Sequence, residues 1–437
     1  MKVRLRPLIL AESCNPEWVS VPLEGWSHSK ALLDATDGHL VTQIRNREAL
    51  IRAGLVEGKD FTAIDSEKVA ARVHRLAQMV RGGKGKGWTT NTAMQAFAYP
   101  YFEKLVWRQF RDRLIAKEFD LVHRVTPLSP TMSSLLARRC RKIGVPFMLG
   151  PLNGGVPWPK GFDKARRQEK EWLSYVRNAY KLLPGFRSTR KNASAIVIGS
   201  RDTWQQMPGK YHAKCVYIPE NAIDPARFTM RRTRRAELPI RAMFLGRLVP
   251  YKGADMLIEA AAELCKSGAI RIDIIGEGPE RSKLQGLIER FGLQDSVTLH
   301  GNVPHTLVQN HLVNSDILSF PSVREFGGGV VVEAMAVGVV PVVCEYGGPA
   351  ELVSPGTGVA VPIGSREEII ERFRAVLGEL CQHPERIDAM SARAVERAHK
   401  QFTWPAKAQQ SIAVYRWITG ATGKPDFGMP LPEEFSQ

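Results

Sequence analysis

The sequence predicts an α/β protein with two Rossmann-like domains, whose parallel sheets face each other across a cleft. Three observations support this fold class. The chain has 437 residues, which is more than one ordinary hydrophobic core accommodates. Its second half alternates short apolar strands with helical segments, the order typical of a doubly wound sheet. Residues 316–344 read as a strand, a glycine-rich loop, a helix and a second strand, and such loops lie where open α/β sheets bind ligands.

The domain boundaries follow from where the regular alternation begins. Residues 219–238 show no hydrophobic periodicity and contain two prolines and an arginine cluster, so we interpret them as a linker. The predicted first domain covers residues 1–218, and the predicted second domain covers residues 239–404. Helices at about 405–420 are expected to pack back on the first domain.

Seven short apolar segments predict the strands of the first domain. They cover residues 6–12, 39–43, 61–64, 119–123, 146–149, 195–198 and 216–218. Helices are predicted at residues 30–35, 66–81, 92–117, 133–143 and 163–183. We expect Pro100 to split or kink the third of these helices. Residues 13–29 are predicted to form a loop, and the basic segment GGKGKG at 82–87 a mobile surface loop.

The second domain shows a more regular pattern. Strands are predicted at residues 241–245, 270–275, 297–300, 316–320, 339–343 and 359–361, and late helices at 367–380, 389–401 and 405–419. Residues 330–332 are three valines, which favour a strand. The following EAMAVG suits a helix that ends at Gly338, so we predict a helix there.

The charge is strongly asymmetric. Of a net charge of +17, residues 1–222 contribute +18 (37 Lys+Arg, 19 Asp+Glu) and the remaining residues −1 (24 against 25). This favours an anionic partner for the first half, namely a phospholipid surface or a lipid pyrophosphate, over a nucleic acid. Scattered solvated charge is the alternative interpretation.

The apolar segments are too short for a transmembrane helix, and the N-terminal apolar segment is too short for a signal peptide. Six widely spaced cysteines indicate buried thiols in a reducing compartment and suggest no metal site. We therefore expect a cytoplasmic protein, bound peripherally to the inner face of the cell membrane.

One set of candidate site residues follows the strand at 241–245. Gly246 makes the turn, and Arg247 and Lys252 lie in the loop before the next helix. Two cations beside a helix N-terminus suit a diphosphate, because arginine binds phosphate oxygens in a bidentate manner and lysine acts as a point charge. The alternative is that both are ordinary exposed loop charges.

A second set lies in the glycine-rich stretch. Glu325 and Glu333 frame three successive glycines, residues 327–329. Glycines allow the backbone to approach a ligand closely, and their N–H groups with the helix N-terminus form an anion site. A loop carboxylate can accept hydrogen bonds from sugar hydroxyls, and a helix carboxylate can bind a ribose diol. The alternative is a capping carboxylate plus a solvated one.

The second half resembles the nucleotide-sugar-binding domain of the family four retaining glycosyltransferases, which have the GT-B fold. The resemblance covers roughly residues 216–405 and rests on five motifs in the family's order. These are FLGRLVPYKG (244–253), IIGEGPER (274–281), VTLHGNVPH (297–305), EFGGGVVVEAMAVG (325–338) and GGPAELV with GTG (347–358). The segment IPENAIDPARF (218–228) resembles the family's entry into the linker.

The resemblance implies a role for each matched residue. Arg247 and Lys252 would hold the donor diphosphate, and Glu325 with Phe326, Gly327 and Gly328 the donor sugar. Glu333 would hold the ribose, and Gly246 would line the same site. No DxD motif stands beside a strand end, so no divalent metal and no other cofactor is expected.

The first half resembles the family more weakly. DLVHRV (120–125) keeps one histidine of a DVxHxH-type strand end, His123, and has Val125 at the position of the second. His123 is therefore a candidate catalytic residue, with a structural histidine as the alternative. In GPLNGG (150–155), Asn153, Gly154 and Gly155 are candidates for lining the acceptor or pyrophosphate side, and an ordinary turn is the alternative.

The function implied by the resemblance is retaining, metal-independent transfer of a sugar from a nucleotide-sugar donor. The acceptor predicted from the basic half is a lipid-linked glycan of surface polysaccharide synthesis. Two alternatives stay open: transfer to a small soluble acceptor, and an inactive nucleotide-sugar-binding scaffold.

Overall fold

The computed structural model describes residues 4–67, 88–154, 156–159, 161–163 and 184–429, with the backbone alone for residues 88–98. The chain divides into two compact units. The first unit contains residues 1–154, 170–220 and 407–437, and the second unit contains residues 155–169 and 221–406.

The first unit is built on a parallel sheet of seven strands in the order β3-β2-β1-β4-β5-β6-β7. The strands are β1 (Pro7–Ala11), β2 (His39–Gln43), β3 (Phe61–Ile64), β4 (Leu121–Thr126), β5 (Phe147–Leu152), β6 (Ala195–Ile198) and β7 (Cys215–Tyr217). The helices described here are α1 (Val21–Ala35), α2 (Arg47–Arg52), α3 (Trp88–Ile115), α4 (Leu135–Lys142), α5 (Pro184–Asn192) and α6 (Arg201–Gln205).

Both faces of this sheet are buried, as is typical of parallel sheets covered by helices. Strand β1 shows this directly: Leu8 and Leu10 pack in one core, whereas Ile9 and Ala11 pack in the other. The first core includes α3 and α4. The second includes α1 and the last described helix, α14 (Trp404–Ile418), through residues such as Tyr415.

Three sequence predictions for the first unit were wrong. Residues 21–29, predicted as loop, belong to α1, which begins at Val21 because Pro22 suits the first helical turn and Glu24 complements its N-terminal dipole. Strand β4 does not end at His123 but continues to Thr126, and β5 continues from Leu149 to Leu152. Helix α3 continues through Pro100, so it is not split there, and a kink at Pro100 stays a prediction.

Some predictions fall on residues that the structure does not describe. These are most of the helix predicted at 66–81, the basic loop at 82–87, most of the helix predicted at 163–183, and Gly155.

The second unit has a parallel sheet of six strands in the order β10-β9-β8-β11-β12-β13. The strands are β8 (Ile240–Leu245), β9 (Ile270–Ile275), β10 (Val297–Gly301), β11 (Ile317–Phe320), β12 (Val340–Cys344) and β13 (Val359–Val361). Each predicted strand is confirmed to within one residue at either end. The strand order reverses between β8 and β11, and open α/β sheets bind ligands at such a switch point, outside the carboxyl ends of the strands.

The helices of the second unit connect these strands. They are α7 (Ala254–Lys266), α8 (Arg281–Phe291), α9 (Val308–Leu312), α10 (Gly329–Val337), α11 (Gly348–Leu352), α12 (Arg366–Gln382) and α13 (Glu385–Gln401). The helix predicted over the three valines is confirmed as α10, and Gly338 ends it in the left-handed conformation. Tertiary burial of Val331 and Val332 outweighs their preference for a strand.

No helix or strand occurs between β7 and β8, yet residues 231–236 are firmly attached to the second unit. Arg232 and Arg234 both bind Asp316, which is 1% exposed, at 3.0 and 2.6 Å. Arg232 N also donates to the carbonyl of Val337 at the end of α10 (2.8 Å). Buried charges are tolerated only when paired in this way, so these ion pairs fix the segment against the sheet.

Among the described residues, no helix combines the length and the apolarity needed to cross a membrane. All six cysteines are free and buried, as the sequence predicts.

Candidate functional site

Three loops of the second unit meet at the carboxyl ends of β8, β11 and β12. Val323 N donates to the carbonyl of Tyr251 (2.9 Å), and Gly348 N donates to the carbonyl of Glu325 (3.1 Å). The loop after β8 therefore contacts the loop after β11, which contacts the loop after β12. The candidate site lies in these loops, at the predicted edge of the sheet.

Lys252 and Glu325 form an ion pair across the first two loops. Their side chains are 14% and 20% exposed, so the pair is shielded from water but still accessible from one side. The Lys252 ammonium also lies 5.0 Å from the centre of the Phe320 ring. Burial, with a smaller contribution from the charge of Arg247, lowers the pKa of Lys252 to about 8. Contact with the Glu325 carboxylate favours the charged form, so Lys252 is a cation at neutral pH.

Arg247 supplies the second cation. It follows Gly246, whose N–H donates to the Ile275 carbonyl (3.0 Å), and its side chain is exposed. In the described part of the chain no carboxylate pairs with Arg247. Its positive charge is close enough to Lys252 to lower the pKa of that lysine. One free guanidinium next to one shielded ammonium is a suitable pair for two adjacent phosphates.

The glycines of the loop after β11 are required by their surroundings. A Cβ atom on Gly327 would lie 2.1 Å from the side-chain amide of Asn221, and Gly328 has a φ of 75°. Gly328 is the N-cap of α10, so the first N–H groups of this helix have no carbonyl partner within the helix. Free N–H groups and the helix dipole favour an anion, so the N-terminus of α10 is a candidate anion site beside Glu325 and Phe326.

Glu333 lies on the first turns of α10, and its side chain is 16% exposed. His305 Nε2 donates to Glu333 Oε1 (2.8 Å), while Arg227 donates to His305 Nδ1 (2.5 Å). Because arginine only donates, His305 is the neutral Nε2–H tautomer. The sequence analysis did not identify His305 as a site residue, although it is the last residue of the VTLHGNVPH motif.

An aromatic cluster also borders the site and was missed by the sequence analysis. The Arg324 guanidinium lies 4.8 Å from the Trp158 ring and 5.1 Å from the Phe326 ring, and Trp158 meets Tyr251 edge-on at 5.9 Å. Trp158 therefore contacts the residue before Lys252 and the residue before Glu325. Nothing in the local sequence pattern connects position 158 with the glycine-rich loop about 170 residues later.

The structure places His123 in the first unit, inside β4 and fully buried. Its Nε2 donates to the Gly150 carbonyl (2.7 Å), and Tyr415 donates to its Nδ1 (2.7 Å). Burial lowers the pKa of His123 to about 4, and hydrogen bonding to Gly150 opposes this only in part. A neutral histidine with both ring nitrogens bonded within the unit has the features of the structural alternative.

Asn153 and Gly154 follow β5 in the first unit. Asn153 Nδ2 donates to Glu220 Oε1 (2.7 Å), and Gly154 N donates to Thr203 Oγ1 (2.8 Å). Both residues thus contribute to contacts that join the end of β5 to the segments after β6 and β7.

Taken by unit, the structure brings together Gly246, Arg247, Lys252, Glu325, Phe326, Gly327 and Gly328, with Glu333 on the helix that follows. His123, Asn153 and Gly154 belong to the first unit. Across the described residues, no group of three or more His, Cys, Asp or Glu side chains is arranged to hold a metal ion.

Comparison with known proteins gives a family match within the second unit. Residues 227–394 match the family model of the glycosyl transferases group 1. The alpha-D-kanosaminyltransferase of Streptomyces kanamyceticus is 28% identical over 246 residues, which cover 53% of this chain and 62% of that protein. The putative colanic acid biosynthesis glycosyltransferase WcaL of Salmonella typhimurium is 29% identical over 212 residues, which cover 46% and 51%. The chain thus spans 62% and 51% of the length of these two relatives.

Solved structures of other proteins share this fold. Anabaena Alr3699/HepE, crystallised with UDP and glucose, matches 93% of this chain and 98% of its own with a TM-score of 0.52 at 16% identity. The fold class predicted from the sequence is confirmed, and the family match falls on the segment that carries the five motifs. Residues 227–394 thus resemble a glycosyl transferases group 1 domain, and the chain that contains them has the GT-B α/β fold.

Proposed function

We propose that this protein is a glycosyltransferase that moves a sugar from a nucleotide-sugar donor, held by the second unit, to an acceptor. The observation that supports this most is the assembly of Arg247, the Lys252–Glu325 pair and the N-terminus of α10 at the switch point between β8 and β11. A phosphorylated sugar needs cations for its phosphates and carboxylates for its hydroxyls, and this edge of the sheet offers both.

Each residue has a separate role in the proposed complex. Arg247 and Lys252 neutralise the two phosphates of the donor. Glu325 and the backbone of residues 326–328 bind the sugar, and Glu333, oriented by His305, binds the ribose hydroxyls. The Lys252–Glu325 pair holds both charged groups in one place, where the diphosphate and the sugar hydroxyls can become their partners.

We propose a retaining reaction that needs no divalent metal. The acceptor hydroxyl attacks the anomeric carbon on the face from which the phosphate leaves, so one C–O bond forms as the other breaks. The proton of the acceptor hydroxyl passes to the departing phosphate oxygen. Arg247, Lys252 and the α10 dipole stabilise the negative charge that develops on the diphosphate, and such stabilisation is typically worth about 10²–10³ in rate for each donor group.

The acceptor proposed here is a lipid-linked glycan at the cytoplasmic face of a membrane. Two observations support it: the net charge of +18 on residues 1–222, and the relative named for colanic acid biosynthesis. A solved structure of the same fold contains UDP and glucose. This supports a donor in which the sugar is attached to a nucleoside diphosphate.

Thermal unfolding in the presence of UDP, GDP or ADP tests the donor site. A ligand at 100 times its Kd adds about 2.7 kcal/mol to the stability of a folded protein that alone binds it. We expect one of the three to raise the Tm of the wild type, and the rise to be much smaller for Lys252→Ala. Lys266→Ala is the matched control, since Lys266 is an exposed lysine of α7 whose partner among the described residues is Glu263.

Transfer itself is measured with nucleotide sugars of the stabilising base and with lipid-phosphate acceptors. Failure of all three diphosphates to stabilise the wild type, together with no transfer from any donor, would refute the proposal.

A further inference from the structure

The positive charge of this chain is concentrated in one part of the sequence. Residues 121–219 contain 18 Lys+Arg and only four Asp+Glu, a net charge of +14 out of the +17 of the whole chain. Residues 121–162 contain no acidic residue at all. A charge excess of this density is unusual for a surface that faces only water, because neighbouring like charges repel one another.

Among residues 121–219 the structure describes eleven Lys and Arg residues, and it places eight of them on one face of the first unit. Helix α4 lies in the crossover from β4 to β5, and α5 lies in the crossover from β5 to β6. Both crossovers run in the same direction along the sheet, so the two helices cover the same face of it. They lie side by side: Ser134 N donates to Thr189 Oγ1 (2.7 Å) and Arg141 Nη1 to the Lys191 carbonyl (3.0 Å). Lys214, just before β7, also donates to the Lys191 carbonyl (2.8 Å).

We call this surface the basic face and define it by eight cations of α4, α5 and the turn before β7. They are Arg138, Arg139, Arg141, Lys142, Arg187, Lys191, Lys210 and Lys214. In the parts of the chain that the structure describes, none of the eight forms an ion pair. No acidic residue occurs in the segments 133–146, 184–194 or 203–214 that supply them.

Cations elsewhere in the same unit behave differently. Six of the seven Lys and Arg residues in 4–67 are paired with carboxylates. The pairs are Arg4–Asp37, Arg6–Asp120, Lys30–Asp34, Arg45–Glu12, Arg47–Glu57 and Arg52–Glu17. The absence of pairing on the basic face is therefore a local property, and not the general state of this unit.

An apolar side chain accompanies the charges. Leu135 is 47% exposed at the start of α4, and Arg138 and Lys142 lie three and seven residues further, on the same side of the helix. Aromatic side chains within this surface are covered: Arg139 lies 5.3 Å over the Trp107 ring, and Tyr211 is 7% exposed. Exposed cations around an aliphatic side chain match a lipid surface, whereas single-stranded nucleic acids are bound on exposed aromatic rings.

We propose that the basic face docks the first unit onto a bilayer that contains anionic lipids. This assigns a surface to the membrane partner of the proposed function and rests on that function only for the identity of the acceptor. Each basic residue near an anionic bilayer is worth about 1 kcal/mol, which is roughly a fivefold change in the partition coefficient. Loss of four such residues should weaken binding on the order of several hundred-fold.

Vesicle flotation of the full chain tests the proposal. The probes are vesicles of phosphatidylcholine alone and vesicles with 30% phosphatidylglycerol, at low and at high salt. The variant R138Q/K142Q/R187Q/K191Q removes four exposed cations whose side chains make no hydrogen bond or ion pair among the described residues. The control R4Q/K30Q/R47Q/R52Q removes the same charge from exposed, paired cations. Both variants change the net charge from +17 to +13.

We expect the wild type and the control to float with the anionic vesicles in low salt and not with phosphatidylcholine. The basic-face variant should lose binding by about a hundredfold or more and keep the Tm shift given by the nucleoside diphosphate. Equal loss in both variants would refute the assignment of this surface, and so would binding by the wild type that does not depend on the anionic lipid. A duplex or single-stranded 30-mer oligonucleotide that binds the wild type in preference to the vesicles, and loses binding in the basic-face variant, would make the partner a nucleic acid and overturn the proposal.

Discussion

The two sheets of this protein use the carboxyl ends of their strands in different ways. In the second unit the polar residues follow the strands: Lys252 lies seven residues after β8 ends, and Glu325 five residues after β11. In the first unit His123 and Arg124 lie inside β4, because that strand continues to Thr126. A side chain in a loop beyond the sheet is available to a ligand, whereas one inside a central strand is enclosed by its neighbours.

The contacts follow from this difference in position. His123 and Arg124 are fully buried, and His123 bonds to the Gly150 carbonyl and to Tyr415 because a buried polar atom without a partner is costly. Lys252 and Glu325 are paired but not enclosed. Strand length, more than residue type, thus separates a structural polar group from one that can exchange its partner for a ligand.

Replacement of Lys252 by alanine should have the largest effect, because it removes one of two cations from the diphosphate and leaves Glu325 unpaired. We expect transfer to fall by about 10²–10³ in kcat/KM, with a much smaller change in the urea midpoint. Steady-state kinetics with the donor found by thermal unfolding measure this. The Lys266→Ala control should transfer at the wild-type rate; equal losses in both variants would show that the site does not depend on the Lys252–Glu325 pair.

His123 should show the opposite behaviour, affecting stability rather than chemistry. The pKa of His123 is about 4 in the folded protein against 6.5 for an ordinary histidine, so the unfolded chain binds a proton first as the pH falls. The stability due to neutral His123 is present above pH 6.5 and is lost between pH 6.5 and 4, amounting to about 3 kcal/mol. Burial lowers the pKa of the neighbouring His28 to about 3, which acts in the same direction.

Urea unfolding at pH 7.5 and pH 5 measures this effect. His123→Gln should be less stable than the wild type at pH 7.5 by about 1–3 kcal/mol and should lose less stability on going to pH 5. His383→Gln, at an exposed position, should follow the wild type at both pH values. If His123→Gln were as stable as the wild type yet transferred sugar more than tenfold more slowly, the structural interpretation of His123 would be wrong.

The sequence predicted the second unit well because its signals are local. Strands such as 270–275 and 359–361 are apolar segments bounded by turns, and Arg247, Lys252 and Glu325 each follow a strand on its loop. It failed for α1, where Gly25 and Trp26 resemble a loop but Pro22 and Glu24 start a helix. It also missed His305 and Trp158, which reach the site through contacts between segments that are distant in the chain.

Glu333 tests whether the second unit binds the nucleoside as well as the phosphates. Glu333→Gln keeps the size of the side chain but removes the charged acceptor, and a hydrogen bond to a charged group is worth about 1.5–3 kcal/mol. We expect the KM for the donor to rise about tenfold or more, with kcat changed little, because the ribose is far from the bond that breaks. His305→Ala should give a smaller rise, since it only orients the carboxylate. A fall in kcat without a rise in KM would place Glu333 in the chemical step instead.

Trp158 should give the smallest effect and tests how far the site extends beyond the motifs. Its ring contacts Tyr251 and Arg324, the residues before Lys252 and Glu325, so it can fix the two loops relative to each other without touching the donor. A cation–π contact of this kind contributes about 0.5–1 kcal/mol, which predicts a two- to fivefold loss in kcat/KM for Trp158→Leu and recovery in Trp158→Phe. Trp18→Leu, at a tryptophan of the first unit that is 44% exposed, is the control and should leave the kinetics unchanged. Wild-type kinetics in Trp158→Leu would show that the site includes only the loops after β8, β11 and β12. A loss in kcat/KM larger than that of Glu333→Gln would mean that the segment 156–159 contacts the substrate itself.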